Sequence, residues 1–381
     1  LHVLTHSFPT RRSSDLNKGG VGKSTLTFHL AHALVEKGHK TLMIDLDPQS
    51  NLTLNAIAAE QLEEIWEKED PFIEDSHNFL SERHIDFQTF LEEPRSIHSL
   101  LKPIEDGIFE EISIGKPIEF EKYPRLGLIP GRLSIGSYED KVAKSWGDAF
   151  LGDPSALRLI TAIRNLCLDA QKKYEYEYVI IDTSPSIGIL NRIIISTSTG
   201  FFVPCAPDMF SSFGLRNIGR SLEKWNQQFT MLYNLLSDKK RVDLPQQFVK
   251  FLGYTIYNAK KYKKNDDNNE NSGYDLAQAH LNYVQKLPEI IHKYIPRICY
   301  DFLDNNLINT PIGTTAVMHS HNTLPAMSQK YKEPMWKIPS LNTLDDIDKS
   351  TISGNRKTYE ETRDKYLAFA ESLLTRINSI K

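Results

Sequence analysis

The sequence predicts an α/β fold with a mostly parallel, twisted sheet and helices on both faces. Two observations lead to this prediction. A glycine-rich turn, Asn17–Ser24 (NKGGVGKS), is followed by a helical pattern and then by a short apolar strand that ends in aspartates. A second apolar run, Tyr178–Ile181, also ends directly at an aspartate, Asp182. Helices that alternate with short buried strands indicate parallel strands joined by crossover helices.

Periodicity and end signals assign the elements in order. Ser24–Lys37 carries apolar residues at helical spacing, and Gly38 stands where a helix C-cap belongs. Thr41–Ile44 is an apolar strand that leads into Asp45-Leu46-Asp47. Asp153-Pro154 begins another helix, because proline is favoured in a first turn. Further strands are expected at Leu126–Pro130, Gly200–Pro204 and Phe251–Tyr257, and a long amphipathic helix, Thr358–Ile380, closes the chain.

Composition narrows the class of protein. The 381 residues carry 45 Lys+Arg and 49 Asp+Glu, a net charge of −4, so any nucleic-acid binding must come from a local basic patch. The three cysteines, Cys167, Cys205 and Cys299, make neither a disulfide framework nor a zinc pattern, which fits a reducing cytoplasm. Apolar runs stay shorter than the roughly 18 residues of a membrane span. Ile193–Val203 is predicted to be the end of a helix that runs into a buried strand.

Residues 1–16 are expected to be non-native. Leu1–Leu16 (LHVLTHSFPTRRSSDL) lacks the apolar middle of a signal peptide and resembles the in-frame translation of a sequencing adapter. A strand buried at the sheet centre normally precedes a turn such as Asn17–Ser24, whereas this place holds Pro9, Arg11 and Arg12. We therefore expect the native sequence to resume at about Asn17, with the natural first strand lost.

The segment Asn17–Ser24 matches the phosphate-binding pattern G-x-x-x-x-G-K-[ST], with asparagine in place of the first glycine. Its glycines allow backbone N–H groups to face phosphate oxygens, and the following helix N-terminus favours negative charge. In this pattern Lys23 neutralises the β- and γ-phosphates, the Ser24 hydroxyl ligates Mg²⁺, and Thr25 reaches the α-phosphate. We therefore expect a P-loop NTPase fold that binds ATP and Mg²⁺. The expected nucleotide-binding residues here are Lys18, Gly19, Gly20, Val21, Gly22, Lys23, Ser24 and Thr25.

With Lys18 included, the motif K-G-G-x-G-K-[ST] resembles the deviant Walker A motif of the ParA/MinD family of ATPases. The resemblance implies that Lys18 is the family's signature lysine, which reaches across an ATP-sandwich dimer to the partner's nucleotide. A second lysine suits the chemistry, because negative charge builds on the phosphoryl oxygens during transfer.

Two aspartate-bearing segments extend the resemblance. Asp45–Asn51 (DLDPQSN) resembles the family's first switch segment, which implies that Asp47 positions or activates the attacking water and that Asp45 supports the waters around Mg²⁺. Tyr178–Gly188 (YVIIDTSPSIG) resembles Walker B running into the second switch, which implies that Asp182 holds a Mg²⁺-bound water. Both placements agree with the rule that ligands bind at the carboxyl ends of parallel strands.

The expected catalytic residues are therefore Lys18, Lys23 and Asp47, in an ATPase whose hydrolysis is slow. A structural alternative stays open for Asp45 and Asp47, which could cap a helix or form a turn before Pro48. The presence of Asp47 argues against a binding module that keeps the phosphate loop but does not hydrolyse ATP.

Asn258 follows the strand Gly253–Tyr257, where the family often places an adenine-contacting residue. An asparagine in a strand-end turn explains this position equally well. Residues 17–381 are expected to form a single domain with insertions near 56–123 and 260–273, since both stretches look longer than in compact family members.

The resemblance implies a homodimer that closes on ATP, binds DNA nonspecifically, and is released when a ParB-like partner stimulates hydrolysis. Such a protein would be cytoplasmic, with nucleoid association, and would partition or position DNA or other cargo. DNA binding requires basic residues on one face. The candidates are Lys260, Lys261, Lys263, Lys264, Lys286 and Lys293. A solvated loop explains the first four at least as well, because Asp266–Glu270 dilutes their charge.

Two other functions remain as alternatives. A MinD-like membrane-positioning ATPase needs a C-terminal amphipathic targeting helix, but Thr358–Ile380 carries several acidic residues and is better explained as a core-packed helix. A nitrogenase iron-protein relative needs two cysteines to hold a cluster at the dimer axis, and buried thiols explain the three cysteines better.

Overall fold

The computed structural model describes residues 2–6, 22–108, 112–241, 243–259, 278–314, 316–319 and 323–380. Its strands are β1 (His2–His6), β2 (Thr41–Leu46), β3 (Ile118–Phe120), β4 (Tyr123–Ile129), β5 (Tyr178–Thr183), β6 (Gly200–Cys205), β7 (Lys250–Ala259) and β8 (Ala316–His319).

The helices begin with α1 (Lys23–Glu36), α2 (Asn51–Ala56), α3 (Ala59–Glu74), α4 (Ser76–Arg83), α5 (Phe87–Phe90), α6 (Ile97–Asp106), α7 (Ile135–Phe150), α8 (Pro154–Tyr174) and α9 (Ile189–Thr197). They continue with α10 (Met209–Leu235), α11 (Asp238–Arg241), α12 (Gln278–Val284), α13 (Leu287–Tyr294), α14 (Asn305–Asn309), α15 (Leu324–Tyr331), α16 (Asp346–Gly354) and α17 (Arg356–Asn378).

The chain divides into two compact units. The first unit comprises residues 1–5, 38–200 and 223–249, and the second comprises residues 6–37, 201–222 and 250–381. The sequence-based expectation of a single domain with insertions stays a prediction.

The strands of the first unit lie in the order β3-β4-β2-β5-β1. β2 pairs in parallel with both β4 and β5, β1 pairs in parallel with β5, and β3 pairs antiparallel with β4. The predicted α/β fold with a mostly parallel sheet is thereby confirmed.

The central strands are buried over their whole length, because their sequences, TLMIDL and YVIIDT, are almost continuously apolar. Both strands run further than the sequence predicts. β2 continues through Asp45 to Leu46, and β5 continues through Asp182 to Thr183. The two aspartates are therefore strand residues and not the first residues of loops.

Helix α8 shows how local sequence sets the elements around this sheet. Its N-cap is Asp153, whose carboxylate accepts a hydrogen bond from the amide of Ala156 at 2.8 Å, and Pro154 occupies the first turn. The apolar stripe predicted for this helix is buried in the core of the first unit. The start predicted at Asp153-Pro154 is confirmed.

In the second unit the strand order is β6-β7-β8, and β7 and β8 pair in parallel. Helix α17 packs against α1, β7 and β8, and its residues Tyr366, Phe369 and Leu373 are fully buried. The predicted core-packed closing helix is confirmed. Arg376 is also buried and donates to the carbonyls of Leu252 and Thr310, both at 3.0 Å, so it is a structural residue.

Segment β1 lies beside β5, with His2 opposite Tyr178 and Thr5 opposite Ile181. The strand thus forms upstream of the place, directly before Asn17, where the sequence analysis looked for it. The assignment of residues 1–16 as non-native stays a prediction.

Candidate functional site

The N-terminus of α1 is the described part of the glycine-rich motif. Gly22 is its N-cap, in the left-handed conformation with φ 74°, and the amide of Leu26 donates to the Gly22 carbonyl at 2.8 Å. In the described part of the chain no side chain caps this end, and the first turn holds no acidic residue. The first-turn amides and the positive end of the helix therefore favour an anion.

Within the first turn, Lys23 is buried, and Ser24 and Thr25 are half-buried. These three residues lie on one helical turn, as the phosphate-binding pattern requires. Lys18, Gly19, Gly20 and Val21 lie outside the described residues, so their assigned roles stay predictions.

A buried aromatic layer supports this turn from below. A Cβ added to Gly22 would lie 2.1 Å from Cε1 of Tyr257, so the tyrosine ring fills the space beneath the glycine. The Tyr257 hydroxyl is hydrogen-bonded to the side chains of Thr25 and of Tyr366 on α17, and burial raises the pKa of Tyr257 above its usual range. Strand β7 and helix α17 thereby fix the start of α1.

His29 fastens the same turn from the other side. Its Nδ1–H donates to the carbonyl of Thr25 at 2.7 Å, and its Nε2 accepts from the amide of Met335 at 3.1 Å. Its ring stacks on Tyr366, with centroids 5.0 Å apart. Burial lowers the pKa of His29 to about 3, so the imidazole is neutral at physiological pH.

The aspartates of the first unit meet at the carboxyl ends of β2 and β5. Asp45 and Asp182 are register partners on these neighbouring parallel strands, and both are fully buried. Burial, followed by the nearby charge of Asp182, raises the pKa of Asp45, although hydrogen bonds from Thr53 oppose the shift. Two carboxylates side by side raise each other's energy when both are ionised.

Asp45 is held in one orientation by three donors. Its Oδ2 accepts from the amide and hydroxyl of Thr53 at 2.8 and 2.7 Å, and its Oδ1 accepts from the amide of Asp47 at 3.1 Å. Because Thr53 lies in the first turn of α2, Asp45 also satisfies a helix N-terminus.

Asp47 is 6% exposed and stands directly after β2. Its Oδ1 accepts from the amide of Gln49 at 3.0 Å, which forms a turn around Pro48. The structural roles left open for Asp45 and Asp47 are therefore both present, and they hold the two carboxylates in place.

The second switch segment is folded back on α9. The side-chain amide of Asn191, which is 2% exposed, donates to the carbonyls of Ser184 and Ser186, both at 2.7 Å. This asparagine positions the turn that follows Asp182, although the sequence analysis gave it no role.

Asn258 lies inside β7, which runs to Ala259, and this corrects the expectation that it follows the strand. The strand is longer because its apolar pattern continues past Tyr257 on β8. The Asn258 side chain lies outside the described part of the structure, so its contact with adenine stays a prediction.

The described structure also bears on the alternatives. Cys167, Cys205 and Cys299 are all free, buried thiols, as expected, and burial raises the pKa of each. Among the described residues, no helix is long and apolar enough to cross a membrane. The same residues contain no group of three or more His, Cys, Asp or Glu that could hold a metal ion.

Of the predicted DNA-binding lysines, only Lys286 and Lys293 lie within the described residues, and both are exposed. Lys260, Lys261, Lys263 and Lys264 lie outside them. Lys293 belongs to a basic cluster around the ring of Tyr294, the Tyr294 cluster. Its ammonium lies 5.6 Å from the ring centroid, and the guanidinium carbons of Arg216 and Arg220 lie 5.3 and 6.0 Å from it. The sequence analysis missed both arginines, because α10 and α13 meet only in the fold.

A helix that begins at a glycine-rich turn with Lys23 and Ser24, and a parallel sheet whose strands end at aspartates, define a P-loop NTPase. A family model described as an AAA domain matches residues 14–234, which is more than half of the chain. The chain belongs to this family, within the ParA/MinD-like P-loop ATPases.

Relatives with partition and division names are similar to part of the chain. An uncharacterized protein of Methanocaldococcus jannaschii is 28% identical over 52% of this chain and 60% of the relative. The cell division protein PomZ of Myxococcus xanthus is 25% identical over 57% of this chain and 54% of the relative. The chromosome partitioning protein ParA of the same species is 23% identical over 54% of this chain and 55% of the relative. The chain thus spans about half the length of the curated relatives it matches.

Solved structures share the fold over nearly the whole chain. A protein from Corynebacterium diphtheriae has a TM-score of 0.59 at 20% identity, covering 89% of this chain and 98% of that one. The pNOB8 ParA bound to nonspecific DNA has a TM-score of 0.52 at 17% identity, covering 100% and 99%. An ATP complex of a McdA variant from Cyanothece has a TM-score of 0.52 at 15% identity, covering 98% and 96%.

Proposed function

We propose that this protein is a ParA-like ATPase that binds Mg²⁺-ATP, hydrolyses it slowly, and switches between nucleotide-dependent states to partition or position DNA or other cargo. The observation that carries the proposal is the register of Asp45 and Asp182 at the ends of β2 and β5. Such a pair suits a divalent cation, because a nearby positive ion lowers the energy of both carboxylates.

The residues present fit this ligand. The uncapped start of α1 suits phosphate, and the Ser24 hydroxyl would ligate Mg²⁺ directly. Asp45 and Asp182 would hold it through water, because Mg²⁺ usually keeps several waters and takes further ligands from phosphates. When bound, Mg²⁺-ATP supplies the phosphoanhydride bond and a metal that neutralises phosphoryl charge.

The chain's own residues would then orient the reaction. Lys23 and the loop amides bind the β- and γ-phosphates, and Lys18 adds positive charge to the phosphoryl oxygens of the partner's nucleotide. Asp47, fixed by its turn with Gln49, orients the attacking water. Asn258 would contact the adenine.

An ATP-dependent homodimer is supported by an exposed apolar patch at the start of α10. Met209, Phe210 and Phe213 are each about half exposed, at 50%, 49% and 49%. Clustered apolar side chains on a protein surface commonly mark an interface. A second copy of the chain is the occupant we propose, which agrees with the role assigned to Lys18.

Nonspecific DNA is the proposed cargo contact, and the Tyr294 cluster supports it. Arg216, Arg220 and Lys293 gather positive charge without requiring base readout, which suits phosphate contacts. The close packing that gathers them depends on Gly219, since a Cβ there would lie 2.3 Å from the carbonyl oxygen of Tyr294. A ParB-like protein that stimulates hydrolysis is the proposed partner, and the nucleoid-associated cytoplasm is the proposed location.

The switch is tested by sedimentation and ATP hydrolysis with no nucleotide, with ADP and with Mg²⁺-ATP. We expect ATP alone to produce a dimer, Asp47→Ala to hold the dimer without turnover, and Lys18→Ala to bind ATP without turnover. Asp140→Ala, an exposed aspartate on α7, is the matched control and should behave as the unaltered chain. A mass that is the same in all three nucleotide conditions would contradict the switch.

The DNA contact is tested by co-sedimentation of the ATP state with duplex DNA across salt concentrations. We expect the double variant Arg216→Ala/Arg220→Ala to weaken binding and to reduce the slope of log K against log salt by about 2. The control is Arg356→Ala, because Arg356 is paired with Glu360 at 2.8 Å on a different helix. Equal salt slopes in the unaltered chain and the double variant would exclude this surface. Vesicles then test the MinD-like alternative, which the buried apolar face of α17 disfavours.

A further inference from the structure

A buried ionic cluster lies in the first unit, apart from the phosphate-binding motif. Glu69 on α3 is fully buried and accepts from the amide and hydroxyl of Ser96 at 2.6 and 2.5 Å, and from Arg132 at 3.1 Å. Burial raises the pKa of Glu69, while these donors oppose the shift. A buried charge is tolerated only when it is paired and hydrogen-bonded, so this cluster fixes its members closely.

The cluster fastens the loop that follows β4. The indole Nε1–H of Trp66 donates to the carbonyl of Gly131 at 3.0 Å, and Arg132 donates to the carbonyl of Trp66 at 3.1 Å. The amide of Ile97 donates to the carbonyl of Pro130 at 2.9 Å. Trp66, Glu69 and Ile97 all belong to the inserted stretch near 56–123, which thereby grips Pro130–Arg132.

The gripped loop reaches the support of Asp45. The amide of Gly131 donates to Oγ1 of Thr53 at 2.9 Å, and that hydroxyl donates to Oδ2 of Asp45 at 2.7 Å. A Cβ on Gly131 would lie 2.7 Å from Oγ of Ser50 and 3.0 Å from Cγ of Asp45, so the loop is in direct contact with the first switch segment.

We propose that the insertion is a positioning element for the nucleotide site. Trp66 and Arg132 fix Gly131, Gly131 fixes the Thr53 hydroxyl, and Thr53 fixes the carboxylate of Asp45. Trp66 is thus a positioning residue that touches neither nucleotide nor water. The effect on hydrolysis rests on the proposed ATPase function, whereas the contact pathway exists in the nucleotide-free protein and can be tested there.

The test uses Trp66→Phe, which keeps an aromatic ring and removes the indole donor. Amide hydrogen exchange of the nucleotide-free full chain is the first measurement. Losing one hydrogen bond should speed exchange at Gly131 and Thr53 by about 2- to 12-fold. Trp146→Phe, on α7 of the same unit, is the control and should leave both amides unchanged.

Thr53→Val is the second variant, because it removes the hydroxyl shared by Asp45 and Gly131 at nearly constant volume. We expect it to speed exchange at Gly131. The double variant Trp66→Phe/Thr53→Val should exchange no faster than Thr53→Val alone, since both changes act on one pathway. Unchanged exchange at Gly131 and Thr53 in Trp66→Phe, or fully additive effects in the double variant, would overturn the proposal.

Kinetics give the second readout. Under the proposed function, Trp66→Phe should lower kcat for ATP hydrolysis several-fold while the Kd for ATP stays within about 2-fold, because Asp45 acts on the reacting end and not on nucleotide binding. An equal rise in Kd would overturn the positioning role. If the unaltered chain does not hydrolyse ATP, the proposed function fails, and the exchange measurements still decide the contact pathway.

Discussion

At the scale of single residues, Gly22 and Tyr257 illustrate how the phosphate loop depends on distant sequence. Gly22 combines a left-handed backbone with a space already filled by the Tyr257 ring. Any side chain at this position would be strained twice, once by its φ and once by contact. The glycine is therefore required by the aromatic layer beneath it as well as by the phosphates above it.

We expect Gly22→Ala to lower the free energy of unfolding by about 1–2 kcal/mol from the left-handed backbone alone, and by more from displacement of Tyr257. It should also weaken ATP binding, because the start of α1 would shift. Chemical denaturation and calorimetric titration with ATP measure the two effects.

The matched control is Gly38→Ala. Gly38 also has a positive φ, 95°, but nothing lies within 4 Å of an added Cβ. It should lose stability from the backbone and keep its affinity for ATP. Equal ATP affinities in both variants would show that the Tyr257 contact does not support the loop.

At the scale of elements, α1 carries two buried histidines that make its packing sensitive to acid. Burial lowers the pKa of His29 to about 3 and of His32 to about 4, whereas both have an ordinary pKa of 6.5. Below pH 6.5 the unfolded chain binds protons at these side chains and the folded chain does not. Stability contributed by the neutral histidines is therefore complete above that pH and falls as the pH drops toward 4.

The prediction is a steeper loss of stability between pH 7 and pH 5 in the unaltered chain than in His29→Gln. The difference should be about 2 kcal/mol for one histidine that stays neutral when folded. Urea denaturation at both pH values measures it. His77→Gln, at an exposed position on α4, is the control and should keep the full pH dependence. An unchanged pH dependence in His29→Gln would refute the assignment of a neutral His29.

Local sequence predicts the elements better than the contacts between them. The helix of α8, the strands β2 and β5, and their aspartates follow from periodicity, capping and apolar runs. The supports of the site do not, because they join residues far apart in the chain: Trp66 to Gly131 across 65 positions, and His29 to Met335 across 306. The end of β7 was also missed, because pairing with β8 extends the strand through Asn258.

At the scale of the whole molecule, the strand ends favour ligand binding over stability. Asp45 and Asp182 are buried as register partners in the core of an otherwise apolar sheet. Like charges held together in a low-dielectric environment cost free energy that the folded protein must offset elsewhere. A site arranged in this way gains stability when a cation binds.

We therefore expect Asp182→Asn to raise the free energy of unfolding of the nucleotide-free protein by about 1 kcal/mol at neutral pH, since one of two adjacent charges is removed. The same change should reduce the extra stability that Mg²⁺-ATP confers. Asp169→Asn is the matched control, because Asp169 accepts a hydrogen bond from the amide of Ile114 at 2.7 Å and has no such register partner. It should lower stability and leave the Mg²⁺-ATP increment intact. If Asp182→Asn instead destabilises the nucleotide-free protein and keeps the full increment, then the two carboxylates act as structural residues and the metal site lies elsewhere.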